Sequence, residues 1–211
     1  MQQDRWRPPT QIEKEKLLGV EGLDEVHFFE RLLQELNIPD VHVQEVGGKH
    51  GFAKRLPLLK KTTGFDKVES IALVRDADTD GVRNAFASLC NVLKNTGLPV
   101  PAKPCEITGN GNVNVSIFIM PDNTNDGRIE DIFLQSIGSS KEFDCLKKYF
   151  KCFDSQYKDG QLKFSKQLVL GYLAAKSDTA NSLGFAAQQG IIDFSHRCFE
   201  EIKKFLKDAF I

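Results

Sequence analysis

Three times within the first 94 residues a short apolar run gives way to a turn marked by glycine or aspartate and then to a helical repeat. Residues 16 to 20, KLLGV, stop at Glu21-Gly22, and from Asp24 the spacing of Val26, Phe29, Leu32, Leu33 and Leu36 predicts a helix with one apolar face. Asn37-Ile38-Pro39 breaks that helix. Val41, Val43 and Val46 alternate as a second strand, which ends at Gly47-Gly48 ahead of a helix over 52–59. Ser70 to Val74, SIALV, forms a third strand closed by Arg75-Asp76, and a helix follows from Asp80 to Lys94 with Val82, Phe86, Leu89 and Leu93 inward. Strand and helix units in series pair their strands in parallel, because each crossover helix carries the chain back to start the next strand in the same direction. A parallel sheet must be covered on both faces. The expected fold class is therefore α/β, with a mostly parallel, Rossmann-like sheet flanked by helices.

The chain then changes character. Pro99, Pro101 and Pro104 space out an extended stretch, and Gly109-Asn110-Gly111-Asn112 has the residues of a hairpin turn whose second arm, Val113 to Met120, adds a strand. Pro121-Asp122 and the polar NTNDG close it, and Arg128 begins a helix through Ile132, Phe133 and Ile137. Helical spacing continues over 142–153, 163–176, 179–188 and 194–209. The expected organisation is an α/β domain over 13–138 and a helical C-terminal extension over 139–211 packed on it.

Composition narrows the classes. With 211 residues, of which 41% are hydrophobic and 27% charged, the chain suits one sizeable core. No run approaches the roughly 18 apolar residues of a membrane span, and the start, MQQDRWRPPT, lacks the apolar region of a secretory signal, so a cytoplasmic location away from any membrane is expected. Cys90, Cys105, Cys145, Cys152 and Cys198 form no Cys-x-x-Cys pair and read as reduced, mostly buried thiols. A net charge of −1 removes the broad basic footprint of a nucleic-acid binder, so any phosphate affinity must be local. Local clusters occur at Lys54, Arg55, Lys60 and Lys61, at Lys147, Lys148 and Lys151, and at Lys203, Lys204 and Lys207, each with the spacing of a solvated helix face. His27 and His196 fall within predicted helices as packing or surface residues, and no His-x-x-x-His pair offers a zinc site.

Ligands of an open parallel sheet sit beyond the carboxyl ends of its strands. Glu21 directly follows the first strand there, and Asp76-Ala77-Asp78-Thr79-Asp80-Gly81 follows the third. If those strands are neighbours, their carboxylates share one small volume, which requires either a cation or raised pKa values. Hard oxygen ligands with room for water and a phosphate suit Mg²⁺ or Mn²⁺. The run D-A-D-T-D-G also opens like a calcium loop, but the twelfth position is Ala87 rather than a bidentate Glu, and a strand precedes it instead of a helix. An aspartyl-phosphate enzyme similar to haloacid dehalogenases would carry Thr or Val where this chain has Asp80. Simpler roles stand beside the metal reading. Asp24 and Asp80 suit helix N-caps, and Glu130 and Asp131 suit a first helical turn, where acids complement the dipole. Gly47, Gly48 and Lys49 read either as a phosphate cradle or as a plain strand-to-helix turn.

Leu17-Leu18-Gly19-Val20-Glu21-Gly22 and Ile71-Ala72-Leu73-Val74-Arg75-Asp76-Ala77-Asp78 resemble the two signature motifs of the TOPRIM domain shared by topoisomerases, bacterial primases and OLD-family nucleases. The resemblance extends over most of the chain to small standalone TOPRIM-like proteins, through Gly47-Gly48, Pro121-Asp122, Gly127-Arg128-Ile129-Glu130-Asp131 and Lys166. It implies a TOPRIM-like fold and a Mg²⁺- or Mn²⁺-dependent phosphoryl-transfer protein, most concretely a nuclease acting on DNA or RNA. In that reading Glu21 is a metal ligand or the general acid/base, Asp76 and Asp78 are metal ligands, Glu130 belongs to a second metal position, and Lys166 meets the scissile phosphate. The chain is too short to hold the separate domain that carries a topoisomerase's nucleophilic tyrosine. The alternative is a non-catalytic or partner-dependent effector module, working beside an ATPase in a defence system or as a homo-oligomer, and the weak overall charge favours it.

Overall fold

The computed structural model describes residues 9–153, 161–176 and 180–211, and within them the side chains of all but Lys49, His50, Phe153, Leu162 and Lys163. Five strands, β1 (Lys16–Val20), β2 (His42–Glu45), β3 (Ser70–Asp76), β4 (Thr108–Gly109) and β5 (Asn114–Met120), form one sheet in the order β2-β1-β3-β5-β4. All neighbours run parallel except β4, which pairs antiparallel with β5 through the expected hairpin. The helices are α1 (Leu23–Glu35), α2 (Gly48–Leu59), α3 (Val82–Thr96), α4 (Ile129–Ser136), α5 (Lys141–Phe153), α6 (Leu162–Ala174), α7 (Leu183–Gln188) and α8 (Glu200–Phe210). The expected α/β class, a mostly parallel sheet between helices, is what the chain forms.

Because successive strand residues point to opposite faces, each strand feeds two cores. Leu17, Ile71, Leu73, Val115, Ile117 and Ile119 face α2 and α3, where Phe52, Leu56, Leu89 and Leu93 complete one buried cluster. Leu18, Val20, Ala72, Val74, Phe118 and Met120 face the other way, into a cluster built from α1, α4, α6, α7 and α8. Phe28, Phe194 and Phe199 meet there edge-on or tilted, with ring centroids 5.1–6.2 Å apart, and Phe118 lies against Phe205 of α8. The last helices thus cover the sheet rather than standing beside it. Ser70 Oγ at the start of β3 donates to the Ala209 carbonyl 2.7 Å away.

Several local expectations are corrected. Glycine, not aspartate, starts α1 and α3: Gly22 and Gly81 hold the N-cap positions, and α3 begins at Val82. Asp24 lies inside the first turn of α1, where Oδ1 accepts from the Gly184 amide at 3.3 Å. Asp80 stays in the loop, 4.0 Å from Arg75. Residues 194–199 are not α-helical: Asp193 turns the chain by accepting from the Ser195 amide, and His196 precedes a 3₁₀ turn, its Nδ1 accepting from the Cys198 amide. The segment expected over 179–188 starts only at Leu183, capped by Ser182, and its first residue lies outside the described residues. Three cysteines, Cys105, Cys145 and Cys152, are exposed, and Cys90 and Cys198 are partly buried, so mostly buried thiols is the wrong description. Among the described residues no helix is long and apolar enough to cross a membrane.

Candidate functional site

The sheet brings the two acidic segments together. β1 and β3 are hydrogen-bonded neighbours, with Leu17 beside Ile71 and Gly19 beside Leu73, so Glu21 and Asp76 leave the sheet at the same edge. The Asp76 amide donates to Glu21 Oε1 at 3.3 Å. One residue on, the Ala77 amide donates to the Met120 carbonyl at 3.1 Å, which turns the chain off β3 beside the end of β5. Asp78 then takes a left-handed backbone, φ +52°, a conformation costly for most residues and tolerated by Asp. Its amide donates to the Gly127 carbonyl at 3.0 Å, and its carboxylate receives the Arg128 guanidinium at 2.5 Å.

Arg128 is itself held by its neighbours. Its amide donates to Asp131 Oδ2 at 2.8 Å, closing the start of α4, and Asp131 Oδ1 accepts from Ser165 Oγ of α6 at 2.5 Å. Asp131 is therefore the cap and tether of α4, while Glu130 faces the cluster, where its charge acts on Asp76 and Glu25. Lys166, on the exposed side of α6, is near enough to offset the Glu130 charge.

Burial dominates the electrostatics. It lifts Glu21 from the ordinary 4.5 to about 7; Arg75, 3.6 Å away, opposes the rise, and the charges of Glu25 and Asp78 add to it. Asp76 rises well above the ordinary aspartate value, again first through burial and then through the charges of Glu21, Glu25, Glu130 and Asp78. Glu130 is raised as well, against the pull of Lys166 and Arg128. Five carboxylates thus repel one another in one desolvated volume, bordered by Arg75, Arg128 and Lys166.

Glu25 is the member that sequence spacing passes over. Burial pushes it to about 7, with the charges of Glu130 and Asp24 adding. The signal lies in the helix start at Leu23, for a side chain in a first turn tilts back toward the N-terminus, and here that means toward Glu21. Gly22 makes the return possible, since a Cβ there would stand 2.9 Å from Glu25 Oε2.

The other candidates lie close by. The Gly48 amide donates to the Glu21 carbonyl at 2.9 Å, so it braces the turn beside the acidic cluster. Arg55 covers Gly47, where a Cβ would fall 1.5 Å from the guanidinium Nη1. The side chain of Lys49 lies outside the described residues. Among the described residues no group of three His, Cys, Asp or Glu side chains is arranged to hold a metal ion. The carboxylates supply the donors, but Asp78 is engaged by Arg128, and Glu21 by Arg75 and the Asp76 amide.

Among the solved structures that are similar along nearly the whole chain, three are representative. Two are of the C-terminal region of the Xanthomonas campestris pv. campestris OLD protein, at 15% identity and a TM-score of 0.48 and at 14% and 0.47, each covering 94% of this chain and 97% of the other. The third is the C-terminal region of the Burkholderia pseudomallei OLD protein, at 14% identity and a TM-score of 0.45, covering 95% of this chain and 100% of the other. No curated protein matches. One family model, described as a protein of unknown function (DUF3226), matches residues 15–211, and the chain belongs to that family.

Proposed function

We propose that this chain is a Mg²⁺- or Mn²⁺-dependent phosphoryl-transfer protein, a nuclease hydrolysing phosphodiester bonds of DNA or RNA. One observation carries the reading: Glu21, Glu25, Asp76, Asp78 and Glu130 gather at the carboxyl ends of adjacent strands, where burial first and neighbouring charge second raise the pKa values of Glu21, Glu25, Asp76 and Glu130. Carboxylates held together at such cost suit a divalent cation, which favours oxygen donors and reverses the repulsion. Glu21, Asp76 and Asp78 would hold it, with Glu25 and Glu130 completing or doubling the site. Bound there, the ion would supply charge neutralisation and a Lewis acid at the phosphodiester. Asp78 would exchange Arg128 for the ion, which frees the guanidinium for a phosphate oxygen. Lys166 would neutralise a second oxygen, and Glu21, where it is not itself a ligand, would act as the general acid or base.

The TOPRIM resemblance of the motifs around Glu21 and Asp76 supports the same assignment. The test is cleavage of labelled DNA and RNA by the purified chain with Mg²⁺ or Mn²⁺. Cleavage that disappears in Asp76→Asn supports the reading; no cleavage of any substrate removes it. Two observations favour a second reading, a module that works only with a partner such as an ATPase: the net charge of −1 and the ligand set left open among the described residues. In that case cleavage appears only when the partner is added.

A further inference from the structure

The two helices that cover one face of the sheet carry charge of a single sign. The chain has 29 Asp and Glu, yet none occurs from 46 to 65 or from 81 to 105, the stretches that contain α2 and α3. All the charged side chains there are lysine or arginine. A face that only has to stay in water mixes both signs, whereas a layer of cations without acids repels itself. Across the sheet, α1 carries Asp24, Glu25, Glu30 and Glu35 against Arg31. The net charge of −1 is thus the sum of a basic face and an acidic remainder.

Helical spacing sets these cations on one surface. In α2, Phe52, Leu56 and Leu59 turn inward, so Lys54, Leu58 and, just past the helix end, Lys61 fall on the opposite, exposed side. In α3, Ala85, Leu89 and Leu93 turn inward, and Arg83 and Lys94 stand on the exposed ridge. The helices pack side by side, and at their ends Lys60 Nζ donates to the Thr96 carbonyl at 2.5 Å. Arg55 is no part of this surface, being buried with its Nη1 3.3 Å from Glu45. Both helices start at the edge that bears the acidic cluster. The Gly48 amide donates to the Glu21 carbonyl at 2.9 Å, and the Ala85 carbonyl in the first turn of α3 accepts from Arg75 at 3.4 Å.

We infer that the outer surface of α2 and α3 binds double-stranded nucleic acid through its phosphates, Lys54 and Lys61 meeting one strand and Arg83 and Lys94 the other, and holds the duplex beside the acidic cluster. The inference rests on the nuclease reading for what happens at the cluster but not for the surface. Cations without acids among them complement a polyanion and release its counterions. Packed helices lie about 8–10 Å apart, between the widths of the minor groove at about 6 Å and the major groove at about 12 Å, so each ridge can follow one strand across a groove. A single strand is held largely by stacking on aromatic rings, and these helices offer none at the surface: Phe52 is buried and Phe86 is packed against the core. The arrangement also explains how a chain of net charge −1 would gather a polyanionic substrate, since the attraction is confined to one face.

The experiment is fluorescence anisotropy of the full chain with labelled DNA and RNA duplexes and with oligothymidylate, in EDTA so that cleavage is off, over a range of salt. With four phosphates neutralised, affinity for the DNA duplex should fall on the order of 100-fold between about 50 and 200 mM salt, and K54Q/K61Q or R83Q/K94Q should each reduce that fall to about tenfold. K204Q/K207Q, on exposed positions of α8 across the sheet, should change neither affinity nor slope. All these positions are exposed, so unchanged melting serves as the folding control. Leu58, 46% exposed between Lys54 and Lys61, separates a phosphate backbone from an apolar partner, and Leu58→Ser should leave duplex affinity unchanged. Failure of the wild type to bind either duplex overturns the proposal, as does a salt slope that the α2 and α3 variants leave intact or that K204Q/K207Q lowers as much. Loss of binding in Leu58→Ser overturns the phosphate assignment, and oligothymidylate bound as tightly as the duplexes overturns the double-strand assignment. Cleavage with Mg²⁺ separates the two readings: cleavage of duplex indifferent to the α2 and α3 variants overturns the surface alone, and duplex binding that needs these cations without any cleavage overturns the nuclease alone.

Discussion

Glu21→Gln should stabilise the metal-free protein, and by an amount that grows with pH. The Gln side chain has the shape of a protonated Glu, so the comparison isolates the cost of ionising this carboxyl in the fold. Its pKa is 4.5 in an ordinary setting and about 7 here. A raised carboxyl pKa means that stability is greatest below 4.5, falls as pH climbs from 4.5 toward 7, and stays low above it. At 1.36 kcal/mol per pH unit, the wild type should trail the variant by about 1 kcal/mol at pH 5 and about 3 kcal/mol at pH 8. The side chain is only 14% exposed, so solvent screening removes little of this. Arg75 loses its partner in the variant, but it loses the same partner whenever wild-type Glu21 is protonated, and the pH dependence survives that correction. Urea unfolding in EDTA at pH 5 and pH 8 reads the difference, and at roughly 2–4 °C per kcal/mol for a chain of this size, thermal melting at pH 8 should separate the two by about 6–12 °C. A stability difference that does not change with pH would mean that Glu21 ionises in the fold as freely as in water, and the crowded-carboxylate argument would fall with it.

Other outcomes follow from the same geometry. Mg²⁺ or Mn²⁺ at 100 times its dissociation constant should stabilise the wild type by about 2.7 kcal/mol, Asp76→Asn should lose that response, and Asp80→Asn, in a loop residue 4.0 Å from Arg75, should keep it; scanning fluorimetry with and without metal decides. Lys166→Ala should lower turnover by about a hundredfold while leaving metal affinity unchanged, whereas equal loss of both in steady-state and metal-titration measurements would make it structural. Gly184→Ala should cost about 1–3 kcal/mol in urea unfolding, because the new Cβ would stand 2.5 Å from the Asp24 carbonyl oxygen and 2.8 Å from its Cα, neither of which can move aside without parting α7 from α1.

The sheet was legible because its strands carry apolar residues on both faces and stop at Glu21, Gly47 and Asp76, a pattern that only a doubly covered parallel sheet accommodates. Order along the chain placed Glu21 and Asp76 at the same ends of parallel strands but left the adjacency of the first and third strands as a condition, which the order β2-β1-β3 meets. What escaped depends on the phase of a helix start. Asp24 and Asp80 look like caps, yet glycine takes that position at both helices, and the shift turns Asp24 toward Gly184 and Glu25 toward the cluster. The roles of Arg75 and Arg128 were invisible for another reason: a guanidinium that neutralises a carboxylate 50 residues away leaves no local spacing to read. Residues 194–209 have helical periodicity throughout, but the polar turn at Asp193 and Ser195 outweighs it up to Phe199.

The lid that α8 forms over β3 and β5 has a bearing on how the chain is made. Ser70 reaches Ala209 across 139 residues of sequence, and Phe118 waits for Phe205. A ribosome that has delivered all five strands has therefore delivered a sheet with one face covered by α2 and α3 and the other covered by α1 alone, with Phe118 and Met120 still short of the later helices that bury them. Contacts this distant in sequence slow folding and prolong the exposure of sticky intermediates. The residues of the acidic cluster come from the turn after β1, from α1, from β3, from the loop after β3 and from α4, so all of them leave the ribosome before α8 does. The charged centre is thus built from chain made well before the helix that closes over its sheet.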